Sequence, residues 1–168
     1  MTVTLIAAHS ENGVIAKDGR LPWHLPDEIA HFRAYCQGKW LMLGRRTWDE
    51  MQGWFRPGQV PVVVTRNARL RVPGGYAAGS VEEGLAIPER HGAEECVVVG
   101  GGEIFAATMP YAGILLLTEV HTTLAGDVHF PPVPAGDWQE TEHHHHPADA
   151  THAFAFTIRR FVRRHSPH

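Results

Sequence analysis

The sequence has little cysteine, no excess of basic residues and no long apolar run. Its two cysteines, Cys36 and Cys96, cannot build a disulfide framework and lack the CxxC spacing used for zinc or thiol redox work. Both are expected to be reduced, buried, small apolar side chains. Lysine and arginine together number 15 against 18 acidic residues, a formal net charge of -3 with a pI near 6.5. The basic residues are scattered until a short Arg cluster at the end, so there is no electrostatic footprint for nucleic acid. The longest apolar run centres on Ile114 to Leu117 and falls far short of the ~20 residues that cross a bilayer. No membrane partner is expected. The opening MTVTLIAAHSENG has no basic leader and too short an apolar stretch for a signal peptide, so a cytoplasmic location is expected. A serine hydrolase has no GxSxG to stand on.

What is present is ordinary globular composition, 43% apolar and 20% charged over 168 residues, which predicts one domain spanning residues 1–168. Val3 to Ala8 reads as a first buried strand ending in the turn SENG. AKDGRLPWHLP, rich in Gly and Pro, must be an ordered surface loop, and loops of this kind carry function. Pro26 and Asp27 start an amphipathic helix to about Gln37, with Asp27 as a cap. Trp40 to Leu43 and Val60 to Thr65 read as strands around the helical GRRTWDEMQ. VEEGLAIPERHG is helical although Gly84 and Pro88 weaken it. CVVVGGGEIFAATMP reads as strand, triple glycine and helix, and the last third as strands closing in an antiparallel hairpin. This alternation predicts an α/β fold with a mainly parallel sheet covered on both faces.

Three strand-to-helix junctions could hold phosphate. Gly100 to Gly102 lets the backbone approach an anion at a helix start, without the full Rossmann fingerprint. Gly44, Arg45, Arg46 and Thr47 add two cations and a hydroxyl. Thr65 and Arg66 sit at the carboxyl end of a strand, where open α/β sheets bind ligands. Three arginines suit an adenosine 2′-phosphate, so NADPH is favoured over NADH. Glu28 shares a helix face with Phe32 and Tyr35, and a carboxylate on an apolar face is costly unless it is functional. The run His143 to His146 could chelate a metal, but no carboxylate or cysteine partner has ligand spacing nearby, and exposed hairpin residues are the plainer account.

The segments LIAAHSENGVIAKDGRLPWHLPDEIAHF, LGRRTWDEM, VVVTR, VVVGGGEIF, LLLTEV and GDVHFP, in order over nearly the whole chain, together resemble the dihydrofolate reductase family. The resemblance implies a central eight-stranded mixed sheet flanked by helices. It also implies NADPH-dependent reduction of dihydrofolate, with antifolates as inhibitors and a monomer as the working form. Glu28, Thr118, Trp23 and Leu21 would form the catalytic group, in a pterin pocket completed by Ala8, Ile15, Ile29, Phe32 and Met51. The cofactor would lie against Ala8, Ile15, Gly44, Arg45, Arg46, Thr47, Thr65 and Arg66, and along Val99, Gly100, Gly101, Gly102, Glu103, Ile104 and Phe105. The loop from Val14 to Trp23 resembles the one that closes over the nicotinamide. Two departures stand out. Many bacterial relatives have Asp in place of Glu28, and Pro57-Gly58 is followed by Gln59 instead of the Arg that grips the glutamate tail. Arg33 and Arg56 could compensate. The competing reading is a same-fold reductase acting on a tail-less pterin or a riboflavin-pathway pyrimidine. A non-catalytic nucleotide-binding module would have no need of Glu28.

Overall fold

The computed structural model describes residues 1–16, 23–67 and 69–165. Near-continuous apolar runs such as WLMLG, VPVVV and ILLL fold into the middle of a sheet because these strands bury both faces. Strands β1 (Thr2–Ser10), β3 (Trp40–Gly44), β4 (Val60–Val64), β5 (Tyr76–Ala78), β6 (Glu95–Gly100), β7 (Ile114–Val120), β9 (Trp138–His146) and β10 (Phe156–Arg163) form one eight-stranded sheet. Its order is β5-β4-β3-β6-β1-β7-β10-β9. Pairings from β5 to β7 are parallel; β10 is antiparallel to both β7 and β9. The expected mixed, mainly parallel sheet with a closing hairpin is therefore present. β5 was not legible in YAAGS. A separate two-stranded ribbon joins β2 (Val14–Ala16) to β8 (Val128–His129).

Successive residues of the central strands divide between two cores, as a period of two requires. Leu5, Met42, Val98 and Leu115 face one way, packing with Val81 and Leu85 of helix α3 (Val81–Arg90) and Phe105 of helix α4 (Gly102–Thr108). Ile6, Leu41, Val97 and Leu116 face the other, against Phe32, Tyr35 and Cys36 of helix α1 (Pro26–Cys36). Each fully buried aliphatic side chain contributes roughly 1.5–3 kcal/mol. Helix α2 (Arg45–Glu50) buries Trp48 on Leu43 and Val63. Cys36 and Cys96 are buried and unpaired, as expected.

Local signals explain the helix ends. Ser80 accepts from the Glu83 backbone N–H at 3.1 Å and Glu83 accepts in return from the N–H of Gly79, the residue before the cap, at 2.9 Å; this reciprocal pair starts α3 despite its later Pro88. Gly84, a weak helix former, lies where a Cβ would come within 2.7 Å of Met42 Cε, so its absence lets α3 sit close on the sheet. Helix α1 corrects one expectation. Asp27 does not cap it: the N-cap is Leu25, with no side-chain bond. The Asp27 backbone N–H is instead satisfied by His152 Nε2 at 3.1 Å, from the turn between β9 and β10. A distant imidazole thus does what a local cap residue ordinarily does.

Candidate functional site

Glu28 sits in the first turn of α1 and is 7% exposed. Burial pushes its carboxyl up to about 7, and a hydrogen bond from the Thr118 hydroxyl partly offsets that rise. Thr118 is itself buried on β7, directly opposite Ala8 of β1 and Ile158 of β10. The fold therefore assembles an acid that is half-protonated near neutral pH, held by one hydroxyl at the centre of the sheet. Ile29, Phe32 and Arg33 extend the same helix outward, with Ile29 and Phe32 half-buried and Arg33 exposed. Trp23 packs beside Leu25, Val120 and Phe156, and its buried Nε1 has no acceptor among the described residues. A buried donor in that state is completed by water or a ligand atom. Leu21, expected in the catalytic group, lies outside the described residues, as does most of the loop expected to close over the site.

The three phosphate-type junctions form a row. Val64 of β4 pairs with Gly44 of β3, and Leu43 pairs with Gly100 of β6. Thr65 with Arg66, Gly44 to Thr47, and Gly100 to Ile104 thus stand side by side at the carboxyl ends of adjacent parallel strands. The glycines make the row concave. A Cβ on Gly44 would meet Ile104 Cγ1 at 3.1 Å, one on Gly101 would meet Thr47 Oγ1 at 3.5 Å, and one on Gly102 would meet Val128 Cγ1 at 2.7 Å. Ile15, buried on β2, approaches the same place from the ribbon, 3.9 Å from that Gly102 position. Gly100 adopts φ +125 and Phe105 packs beneath it. Backbone, hydroxyls and a groove without side chains are what a dinucleotide pyrophosphate needs. Val99 and Ile104 are half-buried along this row, and Glu103 is exposed.

The cations differ in availability. Arg45 Nε is held by Asp49 at 3.1 Å, one turn along α2, whereas Arg46 and Arg66 are exposed and make no ion pair among the described residues. Met51 packs half-buried near Leu43, Trp48 and Val63. Gln59 is occupied within the protein. Its Oε1 accepts from Arg56 N at 2.8 Å and its Nε2 donates to the Cys36 carbonyl at 3.1 Å. Arg56 Nη1 in turn donates to the carbonyls of Gly53, Trp54 and Phe55. Of the two proposed substitutes for a tail-binding Arg, only Arg33 remains uncommitted, its guanidinium 5.8 Å over the Trp54 ring. These residues line an open groove of about 250 Å³. Trp54 was missed in the sequence; its only signal is aromaticity, and its place beside Phe32, with ring centroids 5.4 Å apart, follows from tertiary packing.

Comparisons with known proteins agree with this geometry. A family model described as Dihydrofolate reductase matches residues 2–163. The chain is 40% identical over 155 residues to the type 3 dihydrofolate reductase of Salmonella typhimurium, covering 92% of this chain and 94% of that one. It is 39% identical over 142 residues to the dihydrofolate reductase of Neisseria meningitidis, with 84% and 86% covered. The dihydrofolate reductase from Enterococcus faecalis, solved with NADP(H) and RAB-propyl, superposes with a TM-score of 0.87 at 30% identity, covering 98% of this chain and 97% of that one. A buried acid bonded by a sheet threonine and a glycine-lined row of junctions, on a chain that these relatives match over 84–98% of its length, have one reading: the chain belongs to the dihydrofolate reductase family.

Proposed function

We propose that Glu28 is the acid group with which this chain reduces 7,8-dihydrofolate to tetrahydrofolate at the expense of NADPH. When bound, NADPH supplies the hydride that reaches C6 of the pterin, and N5 must gain a proton for that carbon to be electrophilic. Glu28 holds the pterin by its amino and lactam edge, with Thr118 fixing the carboxyl, and favours protonation at N5 through ordered water. Trp23, with its unspent N–H, and Ala8, opposite Thr118, bound the same pocket. Leu21 completes the proposed catalytic group, as the family resemblance implies. Ile29, Phe32 and Met51 wall the aminobenzoyl portion, and the groove beside Arg33 and Trp54 receives the glutamate tail.

The row from Arg66 through Gly44 to Gly102 holds the cofactor, Thr47 and Thr65 offering hydroxyls and Arg46 and Arg66 free charges for the 2′-phosphate. The observation that carries the assignment is the buried Glu28 carboxyl, raised to about 7 and bonded by Thr118. A merely solvated first-turn Glu has neither property. The same pocket would take antifolates as inhibitors, since they present the same amino edge to this carboxyl. The monomer and the cytoplasmic location expected from the sequence belong to this reading. The test is loss of NADPH absorbance on adding dihydrofolate. No oxidation with dihydrofolate, but oxidation with a pyrimidine substrate, sinks this reading in favour of the riboflavin-pathway alternative.

A further inference from the structure

The turn between β9 and β10 closes over the first turn of α1 and gathers three ligand atoms apart from the residues assigned to either substrate. His146 Nε2 lies 2.7 Å from Asp27 Oδ2 and His152 Nε2 lies 3.9 Å from the same oxygen. All three atoms fall within 4.8 Å of one another. Each histidine already spends its other nitrogen. His146 Nδ1 is 2.7 Å from the Pro147 carbonyl, and His152 Nδ1 is 2.8 Å from Asp149 Oδ1. Both partners only accept, so Nδ1 of each ring carries a proton, which leaves Nε2 as the atom that a cation would take. A ring N–H given to a carbonyl or carboxylate, with the opposite lone pair presented, is the arrangement that fixes the tautomer of a metal-bound histidine. It occurs here twice, with both Nε2 atoms set around Asp27: His146 Nε2 against Oδ2, and His152 Nε2 against the backbone N–H, a bond that a cation would displace.

The rings are also held in place. His152 is 2% exposed, and His146 stacks on Phe156 with centroids 4.6 Å apart and planes 8° from parallel. Without a cation, protons close the gap: His146 must donate from Nε2 to Asp27, while His152 Nε2 accepts the Asp27 backbone N–H at 3.1 Å. Bonds of about 2.0–2.1 Å at tetrahedral angles set donor atoms about 3.3 Å apart. That spacing lies between the 2.7 and 3.9 Å found here.

We propose that Asp27, His146 and His152 form a binding site for a divalent first-row transition cation of the zinc type, with water in the fourth position. Two imidazoles and a carboxylate are a donor set that such borderline cations take, and three protein ligands leave a coordination position open. Asp149 orients His152 from behind. The exposed residues His143, His144 and His145 are not part of the site, although they belong to the same run.

The experiment uses the full-length chain without an added affinity tag, titrated with Zn2+ against a chromophoric chelator and with Co2+ followed by its visible bands. One tight Zn2+ per chain and a Co2+ spectrum of tetrahedral intensity are expected. Asp27→Asn and His146→Gln, at positions 61% and 25% exposed by side chain, should each weaken Zn2+ binding at least about tenfold, and Asp149→Asn by about 10- to 100-fold. The triple variant His143→Gln, His144→Gln, His145→Gln should bind as the parent does. Loss of the tight site in that triple variant would place the metal on the exposed run and overturn the proposal. So would parental Zn2+ affinity in Asp27→Asn whose circular dichroism and NADPH binding are intact, or the absence of stoichiometric binding to the parent.

Discussion

Glu28 decides both rate and stability, and in opposite directions. Because burial raises its carboxyl from the usual 4.5 to about 7, the native state keeps a proton that the unfolded chain has lost across that window. Stability from the protonated form is complete below pH 4.5 and is lost as the pH rises through 7, so the ionised group costs the fold about 3 kcal/mol at pH 8. Glu28→Gln should therefore be more stable than the parent by up to ~3 kcal/mol at pH 8 and about equal at pH 4, as read from urea unfolding. The same variant should lose orders of magnitude in turnover at neutral pH and recover partly on acidification, as substrate is protonated in solution. An equally fast Glu28→Gln, alongside an inactive Asp27→Asn, would mean that the wrong carboxyl has been chosen. Gln59 makes a second prediction at this scale. With both ends of its amide engaged, it offers the substrate tail little, and Arg33 is the remaining cation. Gln59→Arg should lower KM for dihydrofolate roughly ten- to a hundredfold with little change in kcat, the mark of uniform binding. Arg33→Ala should raise KM; an unchanged KM would remove Arg33 from the tail site.

The strand-to-helix junction is the element that sets cofactor choice. Gly102 is where α4 begins, and a methyl there would press on Val128 of the β2–β8 ribbon at 2.7 Å. Gly102→Ala should destabilise the fold by ~1–3 kcal/mol of overpacking, as read from urea unfolding. Arg46→Ala and Arg66→Ala should instead weaken NADPH selectively, by ~1.5–3 kcal/mol each, with NADH little affected. Equal losses for both cofactors would separate these arginines from the 2′-phosphate. Arg45→Ala should cost less than either, because Asp49 already shares its charge.

The glycine and arginine pattern made these junctions legible in sequence, because a turn that admits a phosphate cannot admit Cβ atoms. Glu28 was legible because its helix face is otherwise apolar. What the sequence could not disclose was non-local: that Asp27 turns to His146, that His152 caps α1 across the chain, and that Gln59 is consumed by Cys36 and Arg56. The three residues of β5 gave too short an alternation to announce a strand, and only pairing with β4 makes them one.

For the whole molecule, ligand binding and folding are linked, since the cofactor row exists only when β3, β4 and β6 are paired. NADPH at 100 times its Kd should add about 2.7 kcal/mol to stability and raise Tm by roughly 5–10 °C, with NADH at the same concentration giving less. An identical shift for both would argue that the row does not read the phosphate. The sheet itself ends unequally. At one side stands β5, only three residues long, and at the other β9, with nine. Among the described residues no strand pairs with the outer side of β9, so its backbone is a template on which another copy could assemble. From Gln139 to His145 its side chains are polar or charged and exposed, and a bulge breaks the register between Arg160 and Phe161 on its partner. Such features discourage edge-to-edge growth into aggregates. The polar face of this one strand therefore bears on shelf life and expression yield, and an engineered variant that replaced Glu140, Glu142 and His144 with valine would trade solubility for nothing the active site could use.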